Sequence, residues 1–370
     1  MTILQLGKFY PVRGGVERVM FDLTTGLSAR GIECDMMCAE SVGHGAESVL
    51  SACSRLITHR TWVKAASTTI APSMVPRLIR TASHYDIIHV HHPDPMAALA
   101  LYMSGFKGRV VLHWHSDILK QKRLIRFYLP LQNWLINRAD VIIGTSPEYI
   151  RNSHAISSLT HKTVCVPIGI RPLQPDESGA AELRARYGGR RIIFFMGRLI
   201  GYKGVEHLVE AARHLPDDFV VLIGGEGPLH ASLQERIDAA GLGGKVVLLG
   251  RIPDGKTNAF YTACDVFCLP SVMKTEAFGI VQLEAMSLGK PVIATSIPGS
   301  GTAWVNCHGQ SGLNVPVASP EAIAEAALAI TSDPARYAAF CEGARRRYET
   351  EFVFDRMIDR CIDIYSSILI

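Results

Sequence analysis

Short apolar, β-branched runs alternate with longer stretches of helical periodicity along most of this chain. In the first half the runs fall at residues 3–6, 87–90, 110–113 and 141–143. In the second half they fall at residues 192–196, 219–223, 246–249, 266–269 and 292–294, each followed by a helical pattern. Strands that alternate with helices build parallel sheets covered on both faces. The pattern therefore predicts an α/β chain of two Rossmann-like, doubly wound domains. Residues 168–179, rich in Pro and Gly and without periodicity, read as the linker. The expected domains are residues 1–169, residues 170–348, and a last helix over residues 349–370. That helix can pack on either domain and is placed on the first.

A chain of 370 residues is longer than one hydrophobic core sustains, and 48% hydrophobic with 19% charged residues is the composition of a folded protein. Mean hydropathy is +0.17, yet no apolar stretch approaches the ~18 residues that span a bilayer. The opening run, Met1 to Gly7, meets Lys8 too soon to be a signal peptide. A cytoplasmic protein is expected. The nine cysteines show no Cys-x2-Cys pair, and Cys34, Cys38, Cys264 and Cys268 sit in strand-like runs, so they read as reduced core thiols.

Charge is uneven. Residues 1–169 hold 18 Lys/Arg against 11 Asp/Glu, about +7, and residues 170–370 hold 20 against 23, about −3. Two acid-free stretches concentrate the excess. One carries Arg55, Arg60, Lys64, Arg77 and Arg80; the other carries Lys120, Lys122, Arg123, Arg126 and Arg138 among Phe127, Tyr128 and Trp134. Such stretches suit an anionic membrane surface, each cation adding ~1 kcal/mol near lipid, and equally suit a solvated basic face. No nucleic-acid-binding motif accompanies them.

The most informative segment runs from Pro270 to Gly289, between two predicted strands. It should be a loop entering a helix at the C-terminal edge of the second sheet, where ligands of open parallel sheets bind. The free amides of Ala277, Phe278, Gly279, Ile280 and Val281 would meet a phosphate there. Glu276 and Glu284 lie eight residues apart, a helical rise of about 12 Å, which matches the length of a diphosphate bridging two sugars. One carboxylate can bind hexose hydroxyls and the other ribose; two exposed helix glutamates are the alternative. At the corresponding edge after residues 192–196, Arg198 and Lys203 can converge on the same diphosphate and stabilise a departing nucleoside diphosphate.

Neither half carries paired acids of a Mg²⁺ site, so no metal and no cofactor is assigned. Gly-x-Gly-x-x-Gly is absent from both halves, which counts against an NAD enzyme. After the first strand, Gly14-Gly15 opens a helix and allows close backbone approach to a ligand. His113 and His115 follow the run at residues 110–112 and are expected at the cleft-facing edge, where an imidazole can bond a sugar hydroxyl. His89, His91 and His92 form a second cluster beside Asp94, read as packing rather than a metal site.

Taken together, Gly14-Gly15, His113-Trp114-His115, Gly197-Arg198-Leu199 with Lys203-Gly204, Gly224-Gly225-Glu226-Gly227-Pro228 and Glu276-x7-Glu284 resemble the retaining glycosyltransferases of family 4 over essentially the whole chain. The resemblance implies the GT-B fold, two facing Rossmann-like domains with a cleft between them. It implies that Arg198 and Lys203 bind the donor diphosphate, Glu276 the hexose and Glu284 the ribose. Amides of residues 277–281, the Gly14-Gly15 loop, Arg251 and Ile252 complete the donor site. It offers His113 or His115 as the histidine on the donor sugar.

The stretches Gly7-Lys8-Phe9-Tyr10-Pro11, His113 to Asp117, Gln282 to Met286 and Gly299 to Asn306 look most like bacterial mannosyltransferases of surface-polysaccharide and lipopolysaccharide assembly. That implies GDP-mannose as donor, a lipid-diphosphate-linked oligosaccharide as acceptor, and a peripheral position on the inner face of the plasma membrane. A UDP-hexose donor is the alternative within the family. A sugar-nucleotide epimerase or a phosphorylase is the alternative in another class.

Overall fold

The computed structural model describes residues 1–40, 43–65, 68–118, 125–253 and 255–370. In chain order the first part contains β1 (Thr2–Tyr10), α1 (Gly15–Ala29), β2 (Glu33–Glu40), β3 (Glu47–Ser51), β4 (Ser54–Arg60), β5 (Val63–Ala65), β6 (Thr68–Ile70) and α2 (Met74–Thr81). It continues with β7 (Ile87–His92), α3 (Pro95–Ser104), β8 (Arg109–Trp114), α4 (Ile125–Arg138), β9 (Val141–Gly144), α5 (Pro147–Asn152) and β10 (Thr163–Cys165). Eight of these strands form one sheet in the order β10-β9-β8-β7-β1-β2-β4-β3, parallel except for β3 against β4. β5 and β6 pair separately as a hairpin.

The second part contains α6 (Glu177–Arg186), β11 (Arg191–Met196), α7 (Val205–Ala211), β12 (Phe219–Gly224), α8 (His230–Ala239), β13 (Val246–Gly250), α9 (Thr257–Ala263) and β14 (Val266–Leu269). After these come α10 (Val281–Ser287), β15 (Val292–Thr295), α11 (Thr302–Val305), β16 (Gly312–Val315), α12 (Pro320–Ile330), α13 (Pro334–Glu351) and α14 (Phe354–Leu369). Its six strands run β13-β12-β11-β14-β15-β16, all parallel. This is the 3-2-1-4-5-6 order of a doubly wound dinucleotide fold, without its glycine fingerprint.

Two compact units result, residues 1–168 with 355–370 and residues 169–354. In each, the strands are buried on both faces: Ile3, Leu4, Leu6, Val110 to Leu112, Ile192 to Phe195 and Phe219 to Ile223 are almost wholly inaccessible. Burial on both sides explains why these strands read as continuous apolar runs rather than alternations.

The chain end is two helices, not one. α13 runs past residue 348 to Glu351, and its Tyr348 hydroxyl donates to the Ile170 carbonyl at 2.7 Å, inside the second unit. The chain breaks at Phe352 and Val353, and α14 joins the first unit through Met357, Ile358, Cys361 and Tyr365. Arg30 pairs with Asp355 and Asp359 on its outer side.

Two of the five cations of the first basic stretch are paired with acids outside it, whereas Arg60, Lys64 and Arg80 are exposed. Arg55 bonds Asp35 at 2.5 Å and Glu47 at 3.1 Å, and Arg77 bonds Glu47 at 2.7 Å. Arg138 is likewise structural, donating to the carbonyls of Phe106 and Gly108. Lys120, Lys122 and Arg123 lie outside the described residues. All nine cysteines are free; Cys34, Cys38, Cys264, Cys268 and Cys361 are buried and Cys53, Cys165, Cys307 and Cys341 half-buried.

Ile358 is wholly buried whereas Ser366 on the same helix is exposed. Truncating Ile358 to Ala should cost about 2–5 kcal/mol by leaving a cavity, and Ser366→Ala should cost little. Equal denaturant midpoints for the two variants would mean that α14 is not docked as described.

Candidate active site

In each sheet the strand order reverses once, at β1/β7 and at β11/β14. Beyond the C-terminal ends of such neighbours the following loops turn to opposite sides and leave a crevice. Of the sequence-expected residues of the second unit, Arg198, Lys203 and residues 276–281 follow β11 and β14 at this edge, whereas Arg251 and Ile252 follow β13, two strands from β11.

After β11 the chain passes through Gly197 and Arg198, and Lys203 ends a short turn before α7. The glycine-rich stretch after β12 is the support of this loop. The amide of Leu199 donates to Glu226 at 2.9 Å, and that of Gly197 to Gly224 at 3.1 Å. Gly225 has φ of +124°, and a Cβ there would stand 1.9 Å from the Gly197 carbonyl oxygen. Only glycine permits that approach. Arg198 itself is exposed and has no acceptor among the described residues.

Lys203 and Glu276 meet as an ion pair, Nζ to Oε2 at 2.5 Å, with side chains only 10% and 11% exposed. Ser271, fully buried just after β14, donates to the same Oε2 at 3.0 Å. Oε1 has no protein donor among the described residues. The carboxylate is thus fixed by one oxygen and open at the other. Ser300 donates to the Glu276 carbonyl and Glu276 N to Met273, so the backbone is pinned too.

The helix expected to begin right after Glu276 starts later, at Val281. Residues 277–280 form an irregular turn in which Gly279 has φ of +78°. Among the described residues, the amides of Ala277, Phe278, Gly279 and Ile280 donate to no backbone carbonyl. Glu284 lies in α10 and accepts from the Tyr261 hydroxyl at 2.6 Å. Burial, then the carboxylate, raises the Tyr261 pKa well above 10.0. Arg251 follows β13 on the surface while Ile252 is buried beneath it.

In the first unit Gly14 caps α1 in extended conformation and Gly15 is the first helical residue. A Cβ on Gly14 would lie 2.6 Å from Glu17 Oε2. Lys8, left-handed at φ of +57°, donates its amide to Asp94 and its ammonium to the Pro93 carbonyl. Asp94 also caps α3 through Met96 and Ala97.

His113 departs from its expected position at an open edge. It is wholly buried, and both ring nitrogens lack partners. It belongs to a stack with His89, His91 and His115, with ring centroids 4.0–5.5 Å apart. His115, one residue beyond β8, is 5% exposed. On the opposite side of the strands His92 stacks on Trp114 at 3.7 Å. His89, His91 and His113 bring one nitrogen each within 4.8 Å of one another, near enough for one ion. Both nitrogens of His91 are already bonded, to His115 and Gln5, so open nitrogens remain on His89 and His113 alone.

Sequence reading passed over Gln5, Ser271, Tyr261 and Tyr365. Each acts through a hydrogen bond to a residue distant in the chain, or lies in an ordinary strand or helix, and no local spacing marks it. Only the position of Ser271 beside Pro270, at a strand end, carries a signal.

A model described as glycosyl transferases group 1 matches residues 182–347, and one described as glycosyltransferase family 4 matches residues 13–172. The chain is 32% identical over 375 positions to O-antigen chain mannosyltransferase C of Escherichia coli, covering 100% of the chain and 99% of that relative. It is 30% identical over 359 positions to the D-rhamnosyltransferase WbpZ of Pseudomonas aeruginosa, covering 95% and 92%. Sucrose-phosphate synthase of Thermosynechococcus elongatus matches with TM-score 0.79 at 22% identity, covering 100% and 99%. Anabaena HepE in complex with UDP matches with TM-score 0.79 at 20% identity, covering 99% and 100%.

Burial pushes His92 and His113 down to about 3, and His89, His91 and His115 well below 6.5. The folded state therefore binds fewer protons than the unfolded chain below pH 6.5. Stability is full above that value and falls as pH drops toward 3, by up to about 1.4 kcal/mol per pH unit for each imidazole. His113→Gln should flatten the pH dependence of the unfolding free energy by one proton's worth. An unchanged slope would refute the neutral, buried state of that ring.

Proposed function

Since the chain belongs to the glycosyltransferases of the group 1 and family 4 type, we propose that it moves mannose from GDP-mannose to a lipid-diphosphate-linked saccharide. Its fold is GT-B, and it is a hexosyltransferase of polysaccharide biosynthesis. The mannosyl donor draws support from the full-length likeness to the O-antigen chain mannosyltransferase. A UDP-hexose donor is favoured instead by the UDP complex of HepE, a likeness in fold alone. Retention of the anomeric configuration rests on the family resemblance.

One observation carries the donor site. At the β11/β14 edge an unpaired Arg198 stands near a Lys203–Glu276 pair and four unused amides of residues 277–280. This is a surface with spare hydrogen-bond donors and cations beside one open carboxylate oxygen. A nucleoside diphosphate supplies the missing negative charge, and a hexose supplies hydroxyls for Glu276 Oε1. Lysine has three N–H donors, so Lys203 can hold Glu276 and a phosphate oxygen together. Glu284 takes the ribose, and Arg251 with Ile252 flanks the nucleotide. As the sugar leaves, charge builds on the diphosphate, and fixed cations there lower the barrier without a proton transfer or a metal.

Among the described residues no helix is long and apolar enough to cross a membrane. We assign instead a peripheral contact with anionic lipid through the first unit. Trp62 beside the hairpin is 71% exposed and Phe127 on α4 is 86% exposed, near the exposed cations Lys64 and Arg126. Large exposed aromatics among cations suit the headgroup region. Trp62→Ser with Phe127→Ser should weaken binding to anionic vesicles while leaving donor hydrolysis intact. Equal binding by variant and parent would leave these aromatics as ordinary solvent-facing residues.

Because Arg198 is exposed and unpaired, Arg198→Ala should leave the melting temperature unchanged and lower kcat about 100-fold. Full turnover in that variant would remove Arg198 from the leaving-group role. Glu284→Gln should raise the donor KM more than it lowers kcat. The donor itself is tested by thermal stabilisation with nucleoside diphosphates and their sugars. Selectivity for GDP and GDP-mannose supports the proposal, selectivity for UDP compounds moves the donor, and no shift with any of them sinks the transferase site. Turnover without any acceptor sugar would indicate an epimerase, and phosphate-dependent release a phosphorylase.

A further inference from the structure

Gln5 is wholly buried on β1, and its carbonyl oxygen Oε1 lies 2.8 Å from His91 Nε2. An amide oxygen only accepts. The proton of neutral His91 therefore sits on Nε2, and Nδ1 carries the lone pair. That Nδ1 is 2.9 Å from His115 Nε2, so His115 Nε2 must be the donor of this bond. Burial keeps both rings neutral. Neutral His115 then has its lone pair on Nδ1, which has no protein partner among the described residues. The polarity is inherited from Gln5. Its Nε2 points to the Tyr365 hydroxyl at 3.4 Å and to the weak acceptor Cys34 Sγ at 3.7 Å. The same hydroxyl meets His89 Nδ1 at 2.5 Å. Tyr365 is a residue of α14, so the last helix of the chain reaches the C-terminal edge of the first sheet through three hydrogen bonds.

We propose that Tyr365, Gln5 and His91 are positioning residues that fix His115 as the Nε2–H tautomer and present its Nδ1 lone pair to a substrate hydroxyl. The substrate part rests on the glycosyltransferase reading; the tautomer does not. A sugar hydroxyl approaching His115 finds an acceptor for its proton side. With the opposite tautomer it would find an N–H, and the same hydroxyl would have to turn its lone pair inward. The chain also chooses between the two histidines of the His113-Trp114-His115 stretch. His113 is sealed in the stack, whereas His115 ends the hydrogen-bond chain with one nitrogen uncommitted.

The test uses the full-length protein with ¹⁵N-labelled histidine. Long-range ¹H–¹⁵N correlation spectra distinguish a protonated from an unprotonated ring nitrogen, and loss of signals in His115→Gln assigns the ring. Near neutral pH, without ligand, wild-type His115 should show Nε2 protonated and Nδ1 bare. Tyr365→Phe, which removes one oxygen, should release the Gln5 amide, give His115 signals of both tautomers, and lower kcat about 10- to 100-fold at nearly constant donor KM. Gln5→Leu should do the same more completely. A wild-type ring protonated on Nδ1 overturns the proposal, as does Tyr365→Phe with both tautomer and kcat unchanged. A failed transferase reading has a different signature: no transfer by the wild type, with the His115 spectrum still readable.

Discussion

Two parallel strands that share a sheet but send their following loops in opposite directions leave a gap at their C-terminal ends, and each unit of this protein has one such place. In the second unit the gap is closed at the bottom by one ion pair. Lys203 comes from the loop after β11 and Glu276 from the loop after β14, so the pair ties the two sides of the switch point together. A buried charge pair is costly to desolvate and is tolerated where further hydrogen bonds complete it. Ser271 supplies that bond, and the glycines of the loop after β12 hold the neighbouring backbone close enough to fix where Arg198 emerges.

The first unit meets the same topological problem with different chemistry. Its edge is underlain by neutral imidazoles, held dry by the strands on one side and α14 on the other. Imidazole suits this role because each ring offers one donor and one acceptor, so the hydrogen-bonded pair His91 and His115 transmits a defined polarity. Lys8 and Asp94 lie beside these rings, and burial lowers the Lys8 pKa despite the carboxylate. One face of α14, with Met357, Ile358, Cys361 and Tyr365, is thus part of the first unit's interior, although these residues follow the whole second unit in the chain.

The edge of the second unit offers cations, unused amides and one open carboxylate oxygen. The first offers polar nitrogen lone pairs and a glycine helix start. Under the proposed transfer, a departing diphosphate calls for fixed cations and free amides of the kind that the second unit holds.

How much of this was legible in the sequence follows from the range of the forces involved. The strands around each switch point were legible because burial on both faces leaves unbroken apolar runs; β3, β4 and the β5–β6 hairpin were not, since they are short, edge-like and interrupted by polar residues. Arg198, Lys203, Glu276 and Glu284 were legible as loop and helix-start residues of a recognisable pattern. Their geometry was not: the late start of α10 and the seat of Glu276 on Ser271 are set by loop packing. The basic stretch of residues 48–85 looked uncompensated because Asp35 and Glu47 lie upstream and reach it only across the sheet. By itself, the sequence determined the fold class, the two-domain plan and which residues stand at the strand ends, because periodicity and local chemistry are short-range. Tertiary structure alone decided which charges are paired, which histidine is sealed and which way its neighbour's proton points, because those depend on partners such as Gln5 and Tyr365, 360 residues apart in the chain.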